Sequence, residues 1–144
     1  MTNSNQPLTG HCLCSAVSIT VEQVKPQIEI CHCDMCRRWG GLALADIHGD
    51  SFVIEGENNV GVYRSSEWAE RAFCKTCGTN LWYRFLPTDL HGFQAGLFEL
   101  PEHMTIKKQI FVDEKPHWYD FAQETEMQTG PEVIAEAKAA GFEF

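Results

Sequence analysis

The sequence predicts a mainly β fold, either a β-sandwich or a set of small packed sheets, with one short helix near the C-terminus. Two observations predict it: apolar and polar residues alternate in short runs, and turn-forming residues separate those runs at regular intervals. Of the 144 residues, 44% are apolar and 22% are charged, which is the balance of a globular protein. We therefore expect one domain, residues 1–144, large enough to bury a real core.

Eight segments have the pattern of a strand. The first begins at Leu13 and alternates clearly from Val17 to Glu22, with Val17, Ile19 and Val21 on one face. The other predicted strands are Gln27–Cys31, Phe52–Ile54, Val60–Arg64, Ala69–Cys74, Leu81–Phe85, Phe93–Phe98 and Ile106–Val112. Turn signals lie at Gly49–Asp50, Gly56–Asn59, Gly78, Pro87–Asp89, His91–Gly92 and Pro101.

One helix is predicted near the end of the chain, over residues 131–140. Pro131 suits the first helical position because its missing N–H would have no partner there, and Gly141 suits the C-terminal cap. An apolar stripe with helical spacing supports this helix, formed by Val133, Ile134 and Ala137.

Charge and segment patterns restrict the classes of partner and location. Eleven basic residues against twenty acidic ones give a formal net charge of −9, so we expect no nucleic-acid partner. The longest run without a polar side chain, Trp39–Ala45, has seven residues against the ~18 of a membrane span. The first residues, Met1–Pro7, lack the features of a secretory signal, and we expect a cytoplasmic protein. The sequence does not predict an oligomeric state.

Seven cysteines fall into three tight clusters, Cys12/Cys14, Cys31/Cys33/Cys36 and Cys74/Cys77. An odd number in a reducing compartment argues against a disulfide framework and favours metal or redox chemistry. Small buried hydrophobic cysteines would rarely cluster in this way. A thioredoxin-like redox pair at Cys74/Cys77 is disfavoured because the βαβ context is missing.

The spacing predicts two zinc sites. Residues i and i+2 of a strand share a face, so Cys12 and Cys14 can present two thiolates together, and Cys74–Cys77 is a tight turn that supplies two more. This pairing leaves Cys31, Cys33 and Cys36 as three ligands with one open position, which is typical of a catalytic zinc. Two alternatives stay open: a histidine closes the second site, or Cys31/Cys33 joins the closed site. The six histidines are His11, His32, His48, His91, His103 and His117.

A zinc held by three thiolates should acidify water less than one held by three histidines. We therefore expect the open site to be a poor source of hydroxide and a suitable position for a substrate thiol. A bound thiolate could then attack an aldehyde, or the resulting thiohemiacetal could dissociate in the reverse direction.

Four ordered segments of the chain resemble one known family. They are Gly10–Cys14, Cys31–Arg38, Phe73–Thr79 and Ile110–Trp118. From about Gly10 to Trp118 the chain resembles the glutathione-dependent formaldehyde-activating enzyme family, which also contains the centromere protein V group. Ser15 stands where the family usually has glycine, and Trp39–Gly41 replaces the more usual Ser-Gly-Ala-like stretch.

The resemblance implies an Mss4-like fold of several small antiparallel sheets around zinc. It also implies a structural zinc on Cys12, Cys14, Cys74 and Cys77, and a catalytic zinc on Cys31, Cys33 and Cys36. The family's activity is carbon–sulfur bond chemistry, which joins glutathione and formaldehyde as S-(hydroxymethyl)glutathione. We therefore predict a carbon–sulfur lyase with two zinc ions per chain and glutathione as cosubstrate. The alternatives are a non-catalytic thiol- or protein-binding module and a zinc-thiolate redox sensor.

Several residues near the open site are candidates for further roles. Arg37 and Arg38 follow it directly and could receive a substrate carboxylate, or they could be a solvated pair. His32, between two predicted ligands, could be an acid/base or a polar residue of the strand face. Trp39 is a candidate wall of the substrate pocket. Trp82 and Trp118 are either pocket-wall residues or core residues. Asp34 and Asp46 could orient metal ligands.

Overall fold

The computed structural model describes residues 6–143, and these residues contain eleven strands and two α-helices. Most of the residues on which the absence of a secretory signal was predicted lie outside this range. The mainly β fold with a short C-terminal helix is confirmed. The chain forms two compact units, and within the described range unit 1 comprises residues 6–26 and 46–104 and unit 2 comprises residues 27–45 and 105–143. The single domain over residues 1–144 stays a prediction.

The first sheet of unit 1 has three antiparallel strands in the order β1-β2-β5, namely Leu8–His11, Ser18–Glu22 and Ser51–Glu55. Ile19 and Val21 of β2 are fully buried, as the alternating pattern predicts. The prediction that the first strand begins at Leu13 is wrong: Leu13 is 85% exposed and belongs to a turn that precedes β2. That turn brings two cysteines together, as described below.

The second group of strands in unit 1 is antiparallel in the order β9-β8-β7-β6, with the last two residues of β4 beside β9. Strand β4 joins β9 through Asp46 and Ile47. Phe93 of β9 is buried against Phe52 and Trp82, with ring centroids 5.1 and 6.1 Å away. The five strands are β4 (Leu44–Ile47), β6 (Val60–Arg64), β7 (Ala69–Cys74), β8 (Asn80–Phe85) and β9 (Leu90–Gln94).

Strand β9 corrects two predictions. The predicted strand Phe93–Phe98 ends at Gln94, where a 3₁₀ turn over Ala95–Leu97 follows. The predicted turn at His91–Gly92 lies inside β9 instead. Glycine occupies position 92 for a packing reason, because a Cβ there would lie 2.2 Å from the Asp46 carboxylate. Strand β4 itself was not predicted.

Unit 2 contains a parallel arrangement that the expectation of antiparallel sheets did not include. Strand β10 (Thr105–Ile110) pairs in parallel with β3 (Gln27–Cys31) on one side and with β11 (Glu126–Gln128) on the other. Strand β10 ends two residues earlier than predicted because Phe111 adopts a left-handed conformation with φ 55°. A 3₁₀ turn over Val112–Glu114 follows.

Two helices belong to unit 2. The predicted C-terminal helix is present as α2 (Gly130–Ala139), and Thr129 and Glu132 form a reciprocal capping box at its start. The other helix, α1 (Asp34–Gly40), was not predicted, because a segment of only seven residues carries little helical periodicity. Gly41 ends it with φ 89°. Neither helix of the described range is long and apolar enough to cross a membrane.

Candidate metal centres

The first cysteine cluster, called the closed cluster here, consists of Cys12, Cys14, Cys74 and Cys77 of unit 1. All four sulfur atoms lie within 4.8 Å of one another. The Sγ of Cys14 is 3.7 Å from that of Cys12 and 3.8 Å from that of Cys74. Four sulfurs placed tetrahedrally around zinc at 2.3 Å are separated by about 3.8 Å. The donor set and the spacing therefore both fit a zinc ion.

Two tight turns bring these sulfurs together. In the first, Ser15 N donates to Cys12 O at 3.0 Å, and Ser15 adopts φ 65°. In the second, Gly78 N donates to Cys74 O at 2.8 Å, and Gly78 adopts φ 78°. Both turns therefore need a residue in the left-handed region, which glycine adopts without steric cost.

Hydrogen-bond donors surround the sulfurs of the closed cluster. Asn59 Nδ2 donates to Cys74 Sγ at 3.0 Å, and the Thr79 hydroxyl lies 3.1 Å from Cys77 Sγ. The Thr79 hydroxyl, joined by the Thr79 N–H, lowers the pKa of Cys77 to about 5. The backbone N–H of Cys77 lowers the pKa of Cys74 as well. These donors favour the thiolate, which is the form that binds metal.

Cys14 behaves differently within the same cluster. The backbone N–H of Ala16 lowers its pKa, but burial and the thiols of Cys77, Cys12 and Cys74 together raise the pKa of Cys14 to about 11. Four neighbouring thiolates repel one another, so one of them keeps its proton unless a cation compensates the charge. This competition is what a dication with four thiolate ligands removes.

The second cysteine cluster, called the open cluster, consists of Cys31, Cys33 and Cys36 of unit 2. Cys31 is the last residue of β3, Cys33 is the N-cap of α1 and Cys36 lies in the first turn of that helix. The three sulfurs lie within 4.8 Å of one another, and the cluster contains no histidine among residues 6–143. The end of β3 and the start of α1 thus bring together three sulfur atoms from six consecutive residues.

The open cluster also fits a cation. Hydrogen bonds to the thiols of Cys33 and Cys36, together with burial, raise the pKa of Cys31. Cys33 Sγ accepts the backbone N–H of Cys36 at 3.4 Å. Three soft donors at this spacing suit zinc with one position left for another ligand. The cysteines are thus grouped as the spacing favoured, while their role as zinc ligands stays a prediction.

His32 lies between Cys31 and Cys33 in the sequence, and its side chain is fully buried. Its Nδ1 is 2.6 Å from the Tyr119 hydroxyl, and its Nε2 is 2.7 Å from Gln109 Oε1. Burial lowers the pKa of His32, so the neutral imidazole is favoured. Both nitrogens therefore have partners within unit 2, which leaves the predicted acid/base role without support from the geometry.

The predicted substrate-binding residues lie on α1. Arg38, 79% exposed, pairs with Asp34 at 3.2 Å, as expected of a solvated helix-surface pair. Arg37 also reaches Asp34, at 3.4 Å, and its Nε is buried with no hydrogen-bond partner in the described part of the chain. The Nε–H of Arg37 is therefore a donor that no described residue uses. Trp39 of the same helix is half-buried.

The other candidate residues have separate environments. Trp82 is buried, whereas Trp118 is 58% exposed and packs against Tyr119 with ring centroids 4.9 Å apart. Trp118 is therefore not a core residue. Asp34 pairs with the two arginines, and Asp46 pairs with His48 at 3.4 Å.

Sequence reasoning missed the residues that support the open cluster. Glu114 Oε1 accepts the backbone N–H of Asp34 at 3.1 Å and so helps to cap α1. Lys115 Nζ donates to the carbonyls of Pro116 and Tyr119 and forms an ion pair with Asp120 at 2.8 Å. The segment Ile110–Trp118 carries part of the family resemblance, and this location gives it a structural role that no local pattern could reveal.

These features define a class of protein: a β-rich, cysteine-rich chain with two cysteine clusters that could hold metal. The chain belongs to the family described as glutathione-dependent formaldehyde-activating enzyme, whose model matches residues 7–114. It is 38% identical over 127 residues to a Schizosaccharomyces pombe protein named as an uncharacterized lyase, a match that covers 87% of this chain and 93% of the relative. Together these matches support an enzyme of the lyase type.

A solved structure shares the fold. The crystal structure of a Rhodobacter sphaeroides protein matches 67% of this chain and 98% of its own chain, with a TM-score of 0.54 and 24% sequence identity. At this identity the likeness supports the fold alone.

Proposed function

We propose that this chain is a zinc-dependent carbon–sulfur lyase or synthase that acts on a thiol adduct. The substrates would be glutathione and formaldehyde, or a related small aldehyde, joined as an S-(hydroxymethyl) thiol. The observation that carries the proposal is the open cluster, which offers three sulfur atoms and, among residues 6–143, no fourth group of a metal-ligating type, in a chain of this family. The closed cluster would hold a second, structural zinc.

When bound, zinc would supply the positive charge that stabilises a substrate thiolate near neutral pH. Cys31, Cys33 and Cys36 would hold the ion. In the synthetic direction one S–C bond forms, and the thiol proton ends on the former aldehyde oxygen. The protein's contribution would be proximity, because holding thiol and carbonyl together removes the entropic cost of their encounter.

Arg37 would orient the thiol substrate. Glutathione carries carboxylates, and the guanidinium of Arg37 has a buried Nε without a partner in the described residues. A substrate carboxylate could therefore bind Arg37 while Asp34 keeps Arg38, the more exposed arginine. Trp118, exposed beside Tyr119, would form an apolar wall nearby.

Exchange spectroscopy by NMR tests the activity, because it measures interconversion of glutathione and adduct at equilibrium and separates it from the background reaction. We expect exchange above background with the holoenzyme. Cys36→Ser should return it to background without loss of the closed-cluster metal or of the circular dichroism spectrum. Exchange equal to background with the fully metal-loaded wild type would refute the lyase.

Zinc analysis separates the remaining alternatives. Two zinc ions per chain, one of which changes its coordination when glutathione is added, would support the enzyme. Saturable thiol binding without exchange would favour a binding module. Zinc release by mild peroxide that reductant reverses would favour a redox sensor. The cytoplasmic location stays a prediction that fits these reduced thiols.

A further inference from the structure

A buried hydrogen-bond chain of unit 2 has no part in the proposed reaction. It runs from the Tyr119 hydroxyl to His32 Nδ1 at 2.6 Å, and from His32 Nε2 to Gln109 Oε1 at 2.7 Å. It continues from Gln109 Nε2 to Thr125 Oγ1 at 3.1 Å. His32 is fully buried and Gln109 is 2% exposed, so loss of any link would leave a polar atom without water.

The donors and acceptors of this chain have a defined direction. Because Gln109 Nε2 donates to Thr125, the Gln109 carbonyl oxygen faces His32 and accepts its Nε2–H. A neutral imidazole then has its lone pair on Nδ1, which accepts the proton of the Tyr119 hydroxyl. The hydroxyl is therefore the group that completes the chain.

The hydrogen-bond chain restrains the backbone segment that carries two sulfurs of the open cluster. His32 lies between Cys31 and Cys33, and its N–H donates to Ile110 O at 3.1 Å. Along an extended backbone, neighbouring side chains point to opposite faces, so the imidazole anchors one face while both thiols occupy the other. A ring bound at both nitrogens restricts how far this backbone can rotate, and with it the separation of the two sulfurs.

Tyr119 is itself held in place. Lys115 Nζ donates to the Tyr119 carbonyl and lies 5.1 Å from the centre of its ring. The ring packs edge-on against Phe121 at 5.8 Å. Tyr119 and Thr125 both lie beyond residue 114, where the family match ends. The support of the open cluster thus comes partly from residues beyond the segment that the family model matches.

We propose that Tyr119 is a positioning residue of the open cluster: through His32 it fixes the spacing of Cys31 and Cys33 for metal binding. A site with three protein ligands has one ligand fewer to hold its geometry than a closed site. External support from the buried chain therefore matters more in the open cluster. The inference rests on the proposed function, because it assumes that the open cluster binds metal.

Tyr119→Phe tests the proposal because it removes one hydroxyl and keeps the ring. Tyr63→Phe is the matched control, since Tyr63 is 66% exposed in unit 1. Each protein is titrated with Co²⁺ in competition with a chelator, and the thiolate-to-cobalt absorption bands are followed. We expect Tyr119→Phe to weaken one of the two Co²⁺ equivalents about 10-fold, with altered bands for that equivalent alone.

The outcomes distinguish the two proposals. Two equivalents in the wild type, with Tyr119→Phe identical to Tyr63→Phe in affinity and spectrum, would overturn the positioning role and leave the enzyme standing. A single equivalent in the wild type, held by the closed cluster, would overturn both. If Tyr119→Phe does not fold, Tyr119→Met serves instead, since it removes the same hydroxyl. A titration of this variant that is identical to that of the wild type would overturn the proposal.

Discussion

The two cysteine clusters reach similar sulfur spacing by different means. The closed cluster joins two turns distant in sequence, and donors such as Asn59 and Thr79 bond its sulfurs directly. The open cluster comes from six consecutive residues, and its support lies on the far side of the backbone, at His32. If both clusters bind metal as proposed, the closed cluster would have four protein ligands to fix its geometry, whereas the open cluster would depend more on contacts with the surrounding fold.

The largest effect should come from breaking one cluster at a time. Cys74→Ser removes a fully buried ligand of the closed cluster, and we expect unit 1 to lose at least about 3 kcal/mol of stability, because metal-binding energy there is folding energy. Cys36→Ser should abolish exchange with a much smaller change in the melting temperature. Calorimetry of both zinc-loaded variants measures this difference. Equal losses of melting temperature would contradict the division into structural and open sites.

The two clusters should also differ in how readily they lose metal. A chelator should remove zinc from the open cluster first, because three protein ligands hold it less firmly than four. Zinc release followed by a colorimetric indicator should show two phases, with circular dichroism changing only in the second. A single phase would mean that the clusters do not differ in the way that their ligand numbers predict.

The hydroxyl of Thr79, which donates to a sulfur of the closed cluster, can be removed by a substitution that keeps the size of the side chain. Thr79→Val deletes the hydroxyl 3.1 Å from Cys77 Sγ, and we expect about 10-fold weaker zinc binding at the closed cluster alone. Thr9→Val is the matched control, because its hydroxyl forms a hydrogen bond with the Thr20 hydroxyl at 2.9 Å on an exposed part of the sheet, away from the cysteines. Chelator competition measures both variants, and weakening of the open cluster by Thr79→Val would contradict the expectation.

Acid should lower the stability of unit 1 through the protonation of His91. Burial lowers the pKa of His91, while the carbonyl of Asp89 and the charges of Asp89 and Glu70 oppose this shift and Arg84 adds to it. A lowered folded pKa means that this contribution is fully present above the unfolded value of about 6.5 and is lost as pH falls. Melting temperatures from pH 7.5 to 5 should therefore fall less steeply in His91→Gln than in the wild type. An unchanged slope would refute this role of His91.

The smallest effect concerns the turn of the closed cluster. Ser15 adopts φ 65°, a conformation that costs a non-glycine residue about 1 kcal/mol, at a position where the resembled family usually has glycine. Ser15→Gly should therefore raise the stability of the zinc-loaded protein by up to that amount. Urea unfolding measures it, and Ser18→Gly in β2 should destabilise instead. A loss of stability in Ser15→Gly would show that its contact with His11 outweighs the strain.

Local sequence patterns were enough to predict those parts of the structure that depend on residues close together in the sequence. The alternation around Ile19 and Val21 predicts their burial in β2, and Pro131 with Gly141 predicts the C-terminal helix within one residue. Cysteine spacing favoured the grouping that the structure shows. Each of these inferences uses a repeat or a motif that one segment contains by itself.

Sequence patterns therefore predict the mainly β class, the terminal helix and the residue types of two candidate metal centres. Tertiary structure alone decided which polar side chains support those centres. Gln109 and Tyr119 meet His32, and Thr125 meets Gln109, only because β10 and the segment after it pack beside β3. No period or spacing encodes such contacts. Hydrogen bonds between distant segments depend on how the whole chain packs, which is why local reasoning did not find them.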